Sequence, residues 1–237
     1  MILANVREGA ELPTESPTPA LARKMVQEKV RIRFRKEGLL RLLGHHDLMR
    51  VWDRLLRRTG LPLRFTEGFH PKPRVSSPLS LPLGAVGLEE IVEVELDGTF
   101  APEFIRAKLE EQLVEGLSIA SVVCLPSKTK TAVSTIEYAV SLPEGLATPA
   151  LQQRIDELLA APSCTIVRRT PGKPDRTVDL RPRIASIHLS PPELRFRLLV
   201  SPEGTNRPEE MLSALDLGAL LAQGALLTRT RVELAEN

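Results

Sequence analysis

Val30, Ile32 and Phe34 alternate with Arg31, Arg33 and Arg35. Alternation sends successive side chains to opposite faces, so a strand is predicted from about Lys29, broken at Gly38. After Gly44 the period changes. Leu48, Val51, Trp52, Leu55 and Leu56 fall at i, i+3, i+4, i+7 and i+8, one face of a helix from about His46 to Thr59, with Gly60 as its stop. Leu61, Leu63 and Phe65 alternate again, predicting a second strand, and Val92, Val94 and Leu96 predict a third. A second helix is expected from Thr99 or Pro102 through Leu113, and a fourth strand over Leu117–Leu125. The order β-α-β-β-α-β predicts an antiparallel sheet with both helices on one face, the ferredoxin-like layout.

A similar order recurs further on. Strands are predicted over Ser134–Leu142 and Cys164–Arg169, with a helix over Thr148–Ala160 between them and a turn over Gly172–Arg176. A hairpin over Ile184–Leu189 and Glu193–Val200, a helix over Pro208–Leu217 and a strand over Ala225–Leu234 complete the set. The expectation is therefore an α+β protein of two tandem ferredoxin-like units with antiparallel sheets, at 29–126 and 133–237. Residues 1–28 carry Pro13, Pro17 and Pro19 among Thr, Ser, Glu and Ala without a sustained period, and read as a flexible tail.

Composition narrows the functional classes. The 237 residues carry a formal net charge of only +2, but it is unevenly placed. Between Lys29 and Arg74 there are 13 Lys and Arg against 4 Asp and Glu, and the rest of the chain is acidic overall. One basic segment on an acidic body points to an anion-binding surface. No apolar run reaches the roughly 18 residues of a membrane helix. Met1 to Val6 is too short for a signal-peptide core, so a cytoplasmic protein with no membrane association is expected. Cys124 and Cys164 are isolated thiols, without the spacing of a metal site, an iron–sulfur cluster or a disulfide framework. No phosphate-binding glycine motif occurs, and no cofactor is expected.

Two segments are candidates for chemistry. Arg50, Arg54, Arg57 and Arg58 lie at i, i+4, i+7 and i+8 of the first helix, a stripe able to grip successive phosphates, although Asp53 is placed to pair with Arg57. The stripe of Arg31, Arg33 and Arg35 is expected to be neutralised by Glu93 and Glu95 across the sheet. The second segment runs from Glu67 to Gly84, long for a connection inside a compact unit. Prolines at 71, 73, 78 and 82 stiffen it. Its alternating His70, Lys72 and Arg74 would face one side if extended, with Lys72 and Arg74 suited to phosphate. His45, His46 and His70 could supply acid–base chemistry near neutral pH, but no partner for them can be assigned and no metal-ligand spacing exists.

Several of these segments resemble the radical-SAM-linked domain family: VRIRFRKEG at 30–38, GHHDLMR at 44–50, LLRRTGLPL at 55–63, EGFHPKPR at 67–74 and LPLG at 81–84. VDLRPRI at 178–184 resembles a later family segment. The resemblance implies a small protein or C-terminal domain encoded beside, or fused to, cobalamin-binding-type radical SAM proteins, in some cases near ribonuclease and ribosomal-protein genes. It places His45, Asp47, Arg50, Gly68, Phe69, Pro71, Pro73 and Arg74 on family-motif positions. Gly44, His70 and Lys72 depart from the Ser, Asn and His usual there. The expectation is a non-catalytic RNA-binding module that presents tRNA or rRNA to a separate radical SAM enzyme. Arg50, Arg54, Arg57 and Arg58 would hold phosphates, and the loop from Gly68 to Arg74 would shape the entrance, with Lys72 and Arg74 adding charge. His45 and Asp47 would orient that loop. Two alternatives stand beside this one: a subunit that docks directly on the radical SAM protein, and an RNA-processing nuclease with histidine acid–base residues.

Overall fold

The computed structural model describes residues 27–235. The expected tail lies outside the described residues, except Gln27 and Glu28, which open the first strand. That strand, β1 (Gln27–Lys36), leads through a 3-10 turn at Gly38–Leu42 to α1 (His45–Arg58). The short β2 (Val75–Ser76), β3 (Val86–Asp97), α2 (Pro102–Glu110) and β4 (Leu117–Pro126) complete the first half. The second half contains β5 (Val133–Ser141), α3 (Pro149–Ala160), β6 (Thr165–Thr170), β7 (Lys173–Asp179), β8 (Ile184–Ser190), β9 (Glu193–Leu199), α4 (Pro208–Ala214) and β10 (Leu227–Leu234).

The strands do not form two separate sheets. One eight-stranded sheet runs β4-β1-β3-β10-β5-β9-β8, with β2 also on β3, and β6 and β7 form a ribbon of their own. All pairs are antiparallel except β3 with β10, which meet in parallel at Val86–Thr228 and Gly87–Arg229. The correction to the expected pair of antiparallel sheets lies in that junction. The end of β3 left bare by the two-residue β2 receives the last strand of the chain. On either side of the junction the strand order repeats: β4-β1-β3-β2 in the first half, β10-β5-β9-β8 in the second.

The first half is built as its alternation predicts. Val30, Ile32 and Phe34 from β1 and Val92, Val94 and Leu96 from β3 point to one side of the sheet. Leu48, Trp52, Leu55 and Leu56 of α1, with Ile105 and Leu109 of α2, bury that side. The opposite face carries the charges. Arg31 lies across from Glu93 and pairs with it at 2.8 Å, Arg33 reaches Glu89 at 3.5 Å, and Arg64 pairs with Glu95 at 2.9 Å. Cross-strand neutralisation therefore takes most of the Arg stripe out of contention as a binding surface.

The predicted second strand at Leu61–Phe65 is an edge segment with two isolated bridges, Leu63 to Leu96 and Phe65 to Pro73. Pro62 has no amide to donate, and the place beside β3 goes to Val75–Ser76. In the second half, the segment read as a turn from Gly172 continues into β7. No helix among the described residues is long and apolar enough to cross a membrane.

Candidate functional site

The long connection folds back on itself beside α1. The Arg64 amide donates to the Glu95 carbonyl of β3 at 2.9 Å, and the Glu95 amide donates to the Arg74 carbonyl at 3.1 Å. Between these roots the Arg74 amide reaches the Arg64 carbonyl and the Thr66 amide reaches the Lys72 carbonyl, both at 2.8 Å. The Thr66 hydroxyl accepts from the Lys72 amide at 3.1 Å. The result is a proline-braced hairpin with Glu67, Gly68, Phe69, His70 and Pro71 at an exposed tip. Gly68 turns the tip at φ 118°, in the region an L side chain avoids.

A groove of about 700 Å³ separates this hairpin from α1. The helix contributes His46, Met49, Arg50, Asp53 and Arg57. The hairpin contributes Phe69, His70, Pro71, Lys72 and Pro73, with Val75 beyond them. Of the four predicted arginines the groove gathers Arg50 and Arg57 only. Residues seven apart lie within about 20° of each other around a helix, whereas each step of four drifts by about 40°, so Arg54 and Arg58 rotate away. Arg58 bonds the Gln112 carbonyl at 3.3 Å. Arg54 is exposed and has no partner among the described residues.

Both groove arginines have carboxylate neighbours on the helix. Arg50 pairs with Asp47 at 2.7 Å and Arg57 with Asp53 at 3.1 Å. Arg57 also sits 5.2 Å above the ring of Phe65, which fixes its direction. Exposed pairs of this kind are worth about 0–1 kcal/mol and are screened by salt, so the guanidinium groups remain open to a stronger anion. Lys72 and His70 have side chains without partners among the described residues.

The remaining predicted site residues stand outside the groove. Arg74 does not follow His70 and Lys72 into it. Its guanidinium donates to the Phe65 carbonyl at 3.3 Å and lies 3.8 Å from Glu95, because the hairpin's root twists toward β3. Asp47 is bonded to Arg50 rather than to the hairpin. His45 packs edge-on to His46 with ring centroids 5.6 Å apart. Burial lowers the His45 pKa, and the nearby His46 and Lys36 lower it further, which favours the neutral imidazole. Glu67 is exposed at the tip. Among the described residues no cluster of three metal-ligating side chains occurs. The sequence reading did not single out Met49, Asp53 or Val75 as lining. Asp53 is three residues after Arg50 and four before Arg57, and Met49 is four before Asp53, so helical spacing alone places them on this side.

Residues 29–209 match the family described as uncharacterized proteins conserved in bacteria, DUF2344. The chain belongs to that family. The DUF2344 match spans the whole of α1 and the hairpin, so every groove residue falls inside it. No curated protein matches the chain. Among solved structures it is similar to a chain of a Cbf5-Nop10-Gar1 complex at 13% identity and a TM-score of 0.42, over 86% of this chain and 48% of that one. It spans about half the length of that relative. It is also similar to an unknown protein from Galdieria sulphuraria at 14% identity and a TM-score of 0.26, over 89% of this chain and 99% of that one. Both likenesses are remote.

Proposed function

We propose that this DUF2344 protein is a non-catalytic RNA-binding module of the cytoplasm, with the groove between α1 and the hairpin as its binding site. The observation that carries the reading is the convergence of Arg50 and Arg57 with Lys72 on one open groove. Phosphate offers each guanidinium a bidentate partner that a single-turn helical carboxylate does not, and Lys72 has no competing side-chain partner among the described residues. The resemblance of the motif segments to radical-SAM-linked domains supplies the other half of the proposal: bound RNA is presented to a separate radical SAM enzyme. The fold reading that accompanies it is two tandem ferredoxin-like units fused edge to edge, supported by the repeated strand order.

The test is RNA affinity measured by filter binding across a salt series. Three phosphate contacts give a slope of about −2 in log K against log salt, at about 0.7 per contact for single strands. Arg50→Ala and Arg57→Ala should each flatten the slope by about 0.7. Weak binding that does not change with salt would remove RNA from consideration.

A second reading has its own observation. Leu39, Leu42 and Leu83 are exposed around Arg41, whose carbonyl accepts from the Gly84 amide at 2.9 Å. This apolar patch favours direct docking on the radical SAM protein. Co-purification from nuclease-treated extract, lost in Leu39→Ser with Leu83→Ser, distinguishes docking from RNA bridging.

A further inference from the structure

Phe69 is fully exposed at the hairpin tip, although it is one of only six phenylalanines in the chain. Phe65, at the root of the same hairpin, has the Arg57 guanidinium over its ring, but nothing in the described protein lies over Phe69. An isolated large aromatic held in water has no packing reason to be there. The loop that carries it is anchored at its base. Thr66 and Lys72 are bonded to each other and Pro71 and Pro73 restrict the backbone, which lowers the cost of ordering the tip when something lands on the ring.

We propose that Phe69 is a stacking platform for an unpaired nucleobase, which makes single-stranded rather than duplex RNA the ligand of this groove. The inference rests on the RNA reading above and narrows it. The surroundings choose the occupant. Beside the ring the groove presents Arg50, Arg57 and Lys72, and an apolar protein side chain arriving there would desolvate those charges without pairing them. A nucleotide satisfies both features at once, with a flat base for the ring and a phosphate for the cations. His70 and Lys72 on the same hairpin strand are placed to donate to the base edge or the sugar of the stacked nucleotide. A paired base inside a duplex offers no free face, so the platform discriminates by strandedness and tolerates any base.

The experiment uses the full chain and three fluorescein-labelled RNAs of about 12 nucleotides: a single-stranded oligoadenylate, the same length as a duplex, and a strand with abasic sites that keeps its phosphates. Anisotropy should show the single strand bound about tenfold more tightly than the other two. Phe69→Ala should abolish that preference while leaving abasic binding unchanged, and Phe69→Trp should retain it. The exposed position removes no core contact, and circular dichroism checks that each variant is folded. If wild-type protein binds the abasic and intact strands equally, the platform is overturned while phosphate binding by the groove stands. If Phe69→Ala weakens all three ligands alike, the platform is likewise overturned. If no strand binds at any salt concentration, the RNA reading falls and the stacking proposal falls with it.

Discussion

Glu210 is nearly buried on α4 and still charged. Burial disfavours its carboxylate, but Arg168 donates to both oxygens at 2.6 Å and the Arg207 amide adds a bond at 2.8 Å. Together they hold the Glu210 pKa below the ordinary carboxylate value. A carboxyl depressed by folding stabilises the protein above its unfolded pKa of about 4.3, and that contribution is lost as pH falls through the lower folded value. Glu210→Gln should therefore cost about 2 kcal/mol at pH 7, with the difference from wild type shrinking below about pH 4. Urea denaturation at the two pH values measures it, and an unchanged gap at low pH would contradict the pairing. Site residues at this scale were partly legible. The 3.6-residue period places Arg50 and Arg57 on one line, but the sequence does not say on which side of the helix the hairpin will stand. Arg54 and Arg58 therefore could not be separated from them until the hairpin's root on Glu95 was known. The exposure of Phe69 was hidden for the same reason, because a phenylalanine in a proline-rich loop ordinarily packs inward.

Elements were legible where burial imposes a pattern and lost where it does not. The apolar face of α1, with four buried residues, put its boundaries within one residue of those observed. By contrast β7 (KPDRTVD) pairs with β6 alone among the described residues, and Val178 is its one apolar residue packed against the core, so no alternation marks it. Leu61–Phe65 shows the reverse case. It alternates because Leu61 and Leu63 are buried, yet its pairing with β3 stops at the Leu63–Leu96 bridge, because β2 takes the edge from Val94 onward. The start of α1 allows a direct test of local sequence chemistry. Gly44 is the N-cap, with φ −66° and ψ 166°, and makes no side-chain capping bond. A Cβ there would meet nothing within 4 Å, and the conformation suits any residue. Gly44→Ser should add a hydroxyl acceptor for a free amide of the first turn and stabilise the protein by about 0.5 kcal/mol. For a chain of this size that is a rise of about 1–2 °C in Tm by calorimetry. A drop would mean that the backbone at Gly44 is not free to accept a side chain.

At the scale of the whole molecule, the two halves meet through very little backbone: two register pairs between β3 and β10. Arg33 of β1 donates to the Val232 carbonyl of β10 at 3.0 Å, and two larger features bind the halves. Leu81, Ala85 and Ile91 from the first half lie in the apolar cluster of the second. Arg229 of β10 and Glu90 of β3 form an ion pair with side chains only 1% and 4% exposed. Arg229 also donates to the Ser80 carbonyl at 3.0 Å, which ties the end of the long connection into the same junction. Gly87 makes room for the pair, since a Cβ at that position would come within 2.5 Å of the Glu90 side chain. A buried pair of this kind adds little net stability relative to an apolar replacement, but losing one partner strands the other charge at a cost of about 3–5 kcal/mol. Arg229→Leu should therefore destabilise the protein by about that amount, whereas Glu90→Leu with Arg229→Leu should recover most of the loss. The same variants test whether the halves unfold together. Trp52, the single tryptophan, is wholly buried in the first half, so its fluorescence follows that half alone, while far-UV circular dichroism follows both. In wild-type protein the two urea transitions should coincide, as a two-state unit requires. In Arg229→Leu the junction is the weakened element, so the dichroism transition should broaden and its midpoint separate from that of Trp52. Two coincident transitions in that variant would place the coupling in the shared apolar cluster, whereas separate transitions in the wild type would show that the continuous sheet does not make the halves one cooperative unit.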